Sequence, residues 1–166
     1  MKSSIKRMAV TGMTAAIYAA LTVLLPIPAY GPIQCRLSEV MNLLAFVNPA
    51  FAPGIILGCF IANLFSTVNP VLDCIVGTAA TALSMLFIVK FSKNLLIASL
   101  WPTLYNGVLV GAMIFFTAGI PLTLINFLSM MFSVMVGEFL AMTVAGYCLF
   151  RLLMRNEKLV AYLKEI

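Results

Sequence analysis

At 166 residues, 63% of them hydrophobic and only 9% charged, the chain lies far from a water-soluble domain, which carries about 25% charged residues. A surface so poor in charge must face lipid, so the expected fold is an all-α integral membrane protein forming one transmembrane domain over 1–166. Histidine is absent, which excludes His-based zinc sites and Ser-His or Cys-His nucleophile pairs, and no cofactor or metal is expected.

Proline, glycine and the few charges mark the breaks between elements. A basic start (Lys2, Lys6, Arg7) leads into an apolar run over 8–25, whose length and many successors predict a spanning helix rather than a cleaved leader. Within it, "GMTAAIYAAL" sets Gly12, Ala16 and Ala20 on one stripe with Ala15 and Ala19 beside it, a spacing that lets another helix approach closely in lipid. "PIPAYGP" stops this helix. A shorter one follows, capped by Ser38 and ending near "NPAFAPG". The third is expected over 53–66. The fourth opens on Asn69-Pro70, a cap followed by proline at the first helical position, and ends near Lys90. The fifth spans 95–118, and after "GIP" a sixth runs over 122–153.

Six helices in a single bundle place Lys2, Lys6, Arg7, Lys90, Lys93, Arg151, Arg155, Lys158 and Lys164 on one side and leave Arg36 on the other. By the positive-inside rule both termini are expected to be cytoplasmic. These thin basic collars anchor helix ends in lipid and account for the net charge of +5, so nucleic acid is not an expected partner. Of the four cysteines (Cys35, Cys59, Cys74, Cys148), three lie in apolar runs, where a free thiol is expected to act as a small hydrophobe.

Outside the collars stand Arg36, Glu39, Asp73 and Glu138. An ionisable group at the bilayer centre costs about 2.5–3.5 kcal/mol, so such residues usually face a cavity or a partner. Arg36 and Glu39, three apart, either pair with each other or line a mouth at the outer end of helix two. Asp73 either satisfies a helix start or joins them. Glu138 falls about 24 Å along helix six, past mid-membrane. Gln34, Asn42, Asn63 and Asn106 could complete a pocket, and Trp101 and Tyr105, four apart, share a stripe that is either packing or a stacking face. Paired carboxylates, amides and flat rings suit a planar heterocycle with N–H donors along one edge, such as the amidine edge of a guanine. A P-loop is absent, so the chain offers no ATP site of that kind to drive movement of such a ligand.

The segments "GPIQCRLSE", "NPAFAPGIILGCFIANLFS" and "NPVLDCIVGTAAT" together resemble the QueT family, substrate-binding S components of energy-coupling factor (ECF) transporters associated with uptake of queuosine precursors. The likeness extends from helix one to the glutamate of "VGEFLA". It implies six helices with cytoplasmic termini, a bacterial cell-membrane location and a loop over 26–34 covering an outward-facing site. It also implies docking of Ala15-xxx-Ala19 on a transmembrane coupling subunit, two ATPase subunits as further partners, and a 7-deazaguanine substrate (queuine, preQ1 or queuosine). On that reading Glu39, Asp73 or Glu138 reads the base edge, Arg36 orders the loop or meets a substrate oxygen, Asn42 and Asn106 add hydrogen bonds, and Trp101 or Tyr105 stacks. The alternatives are an S component for a different vitamin, a self-sufficient small permease, an intramembrane hydrolase using Ser38 or Ser129, and an assembly factor without a small ligand.

Overall fold

A computed structural model describes residues 2–25, 29–30 and 34–166. Among these the chain is helical throughout, with no strand: α1 (Lys2–Leu24), α2 (Leu37–Val47), α3 (Pro49–Asn63), α4 (Pro70–Phe91), α5 (Leu95–Thr117), α6 (Leu124–Leu153) and α7 (Glu157–Lys164). Four of them, α1, α4, α5 and α6, are long and apolar enough to cross a membrane, whereas α2 and α3 are shorter apolar helices. Of the expected covering loop over 26–34, only Ala29, Tyr30 and Gln34 fall among the described residues.

The breaks follow local chemistry. Asn69 Oδ1 accepts from the Leu72 amide at 3.2 Å with Pro70 at the first helical position, as the sequence suggested. Asn94 caps α5 through the Ile97 amide at 2.9 Å, and Asn156 caps α7 through Leu159. Two expected boundaries move. Helix α3 begins at Pro49, not Pro53, because Asn48 Oδ1 takes the Ala50 amide and proline fits the next position. Ser38 is not a cap: α2 starts two residues earlier than that would give, at Leu37 behind Arg36, and the Ser38 hydroxyl lies 2.6 Å from that of Thr22.

Helices α1 and α3 pack closely along one another. The contact depends on Gly54 and Gly58, one turn apart on α3, over which Thr14, Ala15 and Tyr18 of α1 pass. A Cβ added at Gly58 would lie 2.7 Å from Tyr18 Cβ and 2.8 Å from the Ala15 carbonyl oxygen. Ala15, expected on the stripe offered to a partner, is therefore spent inside this contact and buried, and Ala19 is half-buried. Gly12, Ala16 and Ala20 remain exposed. Gly58→Ala is expected to weaken the fold by about 1–3 kcal/mol, the usual cost of forcing extra volume into a packed contact. A lower melting midpoint in detergent would report it, and an unchanged midpoint would contradict so close an approach.

Polar contacts tie together one end of the bundle. Lys6 Nζ donates to the Glu165 carbonyl at 2.8 Å, and Asn48 Nδ2 donates to that of Leu163 at 2.9 Å. The start of α1, the α2–α3 turn and α7 thus share a face. Outward-facing side chains such as Phe60, Leu64, Phe65, Val71, Ile75 and Phe132 are exposed and apolar, as a lipid-facing surface requires.

Candidate functional site

The four anomalous charges are all buried, with Arg36 and Asp73 at 3% exposure and Glu39 and Glu138 at 0%. Glu39 lies in the first turn of α2, a 3₁₀ stretch in which residues three apart line up. Its Oε1 accepts from the Tyr18 hydroxyl of α1 at 2.5 Å, and its Oε2 accepts from Asn42 Nδ2, three residues on. Arg36 Nη1 stands 3.7 Å from the same carboxylate. The guanidinium also turns back to the preceding loop, where Nε and Nη2 each donate to the Ala29 carbonyl at 3.2 Å. Its carbon lies 5.4 Å from the centre of the Tyr30 ring. Arg36 therefore both faces an acid and bonds the preceding loop. A cation buried with its donors satisfied in this way is one that lipid can tolerate.

Glu138 has no such satisfaction. It sits midway along the 30-residue α6, and neither carboxylate oxygen has a hydrogen-bond partner. The Asn106 amide of α5 faces it, yet no hydrogen bond of ordinary geometry joins them, so both polar atoms of that side chain are unpartnered too. Arg36 and Glu39 lie within electrostatic reach of Glu138, which places all four residues in one cluster. The chain leaving the loop passes beside it: Gly137, next to Glu138, lies against the backbone of Gln34 so closely that a Cβ would overlap the Gln34 carbonyl. Gln34 itself is 2% exposed.

Backbone geometry marks the same positions. Helices α4, α5 and α6 each contain a π-helical stretch, at Asp73–Gly77, Asn106–Val110 and Phe139–Gly146. These begin at Asp73, at Asn106 and directly after Glu138. A π turn widens a helix, weakens its hydrogen-bond ladder and occurs disproportionately at functional sites.

Other expected site residues are placed elsewhere. The Asp73 carboxylate accepts from Ser66 Oγ, and its carbonyl accepts from Asn63 Nδ2 at 2.8 Å, so this acid locks the α3–α4 connection. Trp101 and Tyr105 are not brought to Glu138 by any contact. Their rings lie 4.9 Å and 5.1 Å from that of Phe87 on α4, and the indole N–H donates to Ser92 Oγ at 3.1 Å beside the α4–α5 turn. A neighbouring aromatic and a nearby hydroxyl thus account for the Trp101–Tyr105 stripe.

Two residues central to the cluster escaped the sequence reading. Tyr18 is one of three buried polar residues spaced by four on α1, with Thr14 and Thr22, and that period was the available signal. Cys59, expected to be merely apolar, is a polar hub: its sulfur receives Thr81 Oγ1 at 3.2 Å and Asn63 Nδ2 at 3.4 Å, with Arg36 Nη1 at 3.8 Å.

Comparison with known proteins adds an independent line. A family model described as the QueT transporter matches residues 8–155. The chain is 34% identical over 114 residues to the queuosine precursor transporter QueT of Lactococcus lactis subsp. cremoris (strain MG1363), an alignment covering 63% of this chain and 62% of that relative. It thus spans less than two thirds of the relative's length. No solved structure matches the chain.

Proposed function

The chain belongs to the QueT transporter family, and from that membership we propose that it is the substrate-binding S component of an ECF importer, capturing a 7-deazaguanine queuosine precursor from outside the cell. The observation that carries this reading is the buried, unpartnered Glu138–Asn106 pair. A protein in lipid leaves such groups unsatisfied at a cost unless a ligand supplies the missing partners. A carboxylate with two free oxygens accepts the adjacent N1–H and exocyclic NH₂ of a guanine-like edge, and the amide of Asn106 can both donate and accept. Asn42, whose Oδ1 is likewise unpartnered, can add an acceptor. Arg36 serves by fixing the loop at Ala29 rather than by touching the base.

In this reading the two shorter helices join the four long ones to make six in the membrane, with the Lys6–Glu165 face cytoplasmic, and the protein resides in a bacterial cell membrane as a non-enzymatic, multi-pass subunit. Energy would come from a transmembrane coupling subunit and two ATPase subunits. The exposed stripe of Gly12, Ala16 and Ala20 is the part of the expected docking surface still available to them, with Ala15 and Ala19 backing it from within.

Native mass spectrometry of the purified protein, titrated with queuine, preQ1, queuosine and guanine, tests the assignment. Saturable binding of one deazaguanine with guanine weak supports it, and no binding by folded protein sinks it. Glu138→Gln is expected to weaken binding about tenfold or more, since a charge-assisted hydrogen bond is worth about 1.5–3 kcal/mol. An unchanged affinity would remove Glu138 from the site. Uptake by vesicles containing this chain alone would instead identify a self-sufficient permease.

A further inference from the structure

The start of α5 and the end of α6 enclose a groove of about 450 Å³ that the candidate site does not use. Asn94, Leu95 and Leu96 form one wall, and Tyr147, Arg151 and Met154 form the other. Three of these six side chains are polar, and each can donate a hydrogen bond. Tyr147 and Arg151, four apart, share a stripe of α6. Asn94 spends its Oδ1 on the Ile97 amide at 2.9 Å, which leaves Nδ2 as a donor. Among the described residues the one ion pair joins Arg36 to Glu39, so the exposed Arg151 has no acid, and no hydrogen bond engages its guanidinium. The neighbouring chain is basic as well: Lys90 and Lys93 precede Asn94, Arg155 follows Met154, and no acid occurs over 90–97 or 147–156. Exposed Leu96, Leu149 and Leu152 flank the groove, so it opens on the lipid-facing side. Residues 154–156 lead from it into α7, and Glu165, just past the end of α7, is bonded by Lys6 of α1, so it lies at the end that is cytoplasmic in the proposed topology.

We infer that this groove holds an anionic phospholipid of the cytoplasmic leaflet, with its phosphodiester against Arg151, the Asn94 amide and the Tyr147 hydroxyl, and the first part of an acyl chain along Leu96 and Met154. Charge complementarity selects the occupant. Donors without a carboxylate among them call for an acceptor-rich anion, and a guanidinium grips phosphate oxygens in pairs. The apolar walls, open to lipid, call for hydrocarbon attached to that anion, which a free phosphate lacks. Basic pockets between helices on the cytoplasmic side of a membrane protein take such headgroups. Orientation of the chain needs only positive charge near helix ends, and does not require an unpaired arginine at the mouth of an apolar groove. The groove is built by α5 and α6, whereas α1 packs on α2 and α3. It therefore lies off the α1 stripe proposed for docking, and it stands whether or not the substrate assignment does.

Two lipids with the same dioleoyl chains make the test: phosphatidylglycerol, which is anionic, and phosphatidylcholine, which is zwitterionic. Each is titrated into the delipidated full-length protein in a neutral detergent, and the first bound lipid is followed by native mass spectrometry. Phosphatidylglycerol is expected to bind about tenfold more tightly than phosphatidylcholine. Arg151→Gln is expected to remove most of that preference, and Arg155→Gln, just outside the groove, to keep it. Equal affinities for the two lipids overturn the proposal. A preference that survives Arg151→Gln, or that falls equally in both variants, overturns it too, since a diffuse basic collar would then account for the binding. Glycerophosphoglycerol, the same headgroup without chains, is expected not to displace the lipid when added in excess, and displacement would assign the groove to a soluble anion instead. The comparison of lipids on the wild-type protein decides by itself, so a variant that fails to fold does not spare the proposal.

Discussion

Arg36→Ala is expected to destabilise the protein by about 3–5 kcal/mol, the cost of removing one partner from a buried ion pair and leaving the other charge uncompensated. The magnitude follows from burial: Arg36 and Glu39 are 3% and 0% exposed, so water cannot re-enter to solvate the orphaned carboxylate without opening the α1–α2 packing. Tyr18 and Asn42 would still donate to Glu39 but bring no positive charge. The Ala29 carbonyl would lose both guanidinium donors, which unpins the loop in the same stroke. A large drop in melting midpoint in detergent is the expected readout. The double change Arg36→Ala with Glu39→Gln should recover a substantial part of it, because the second substitution discharges the acid that the first one stranded. If the single variant melts with wild type, the pair contributes nothing to stability. If the double variant is no better than the single, loss of the loop contact rather than the stranded charge sets the cost.

The lipid-facing architecture was readable from sequence because lipid punishes charge so strongly. Apolar runs broken by "PIPAYGP", Asn69-Pro70 and "GIP" could hardly be anything but membrane helices, and the same penalty singled out Arg36, Glu39, Asp73 and Glu138, all of which are buried. What sequence spacing could not convey was which helix supplies each partner. Glu39 is completed by Tyr18, twenty-one residues away on α1, and Cys59 by Thr81, twenty-two residues away on α4. No periodicity within one helix reports such pairings. The Trp101–Tyr105 stripe was seen, but Phe87 and Ser92, which occupy it, come from α4 and the turn after it. The small residues of α1 raise the same problem in another form. A stripe such as Gly12 to Ala20 states that a helix can come close, not whether that helix is internal. Gly54 and Gly58, themselves four apart on α3, were the complementary half of the answer for Ala15.

Gly137→Val is expected to reduce ligand affinity about a hundredfold, and to do so with a smaller loss of stability than Arg36→Ala causes. The glycine faces backbone, not a side chain: an added Cβ would overlap the Gln34 carbonyl, and no rotamer change can relieve that. One of the two segments must move. Helix α6 is a 30-residue rod packed along α5, whereas Gln34 lies in the connection between α1 and α2, where among the described residues Arg36 donates twice to the Ala29 carbonyl and the Tyr30 hydroxyl donates to the Ala62 carbonyl. The Gln34 backbone is expected to yield, and the strain of overpacking, at most about 3 kcal/mol, falls on the segment beside Glu138. On the proposed reading that ligand binds beside Gln34 and Glu138, that energy corresponds to about a hundredfold in affinity. Calorimetric titration alongside melting curves separates the outcomes. Weak binding with a nearly normal melting midpoint places the covering loop directly over the ligand. Normal binding with the same midpoint would mean that the loop can lift without cost to the site, and that Glu138 meets its ligand from another direction.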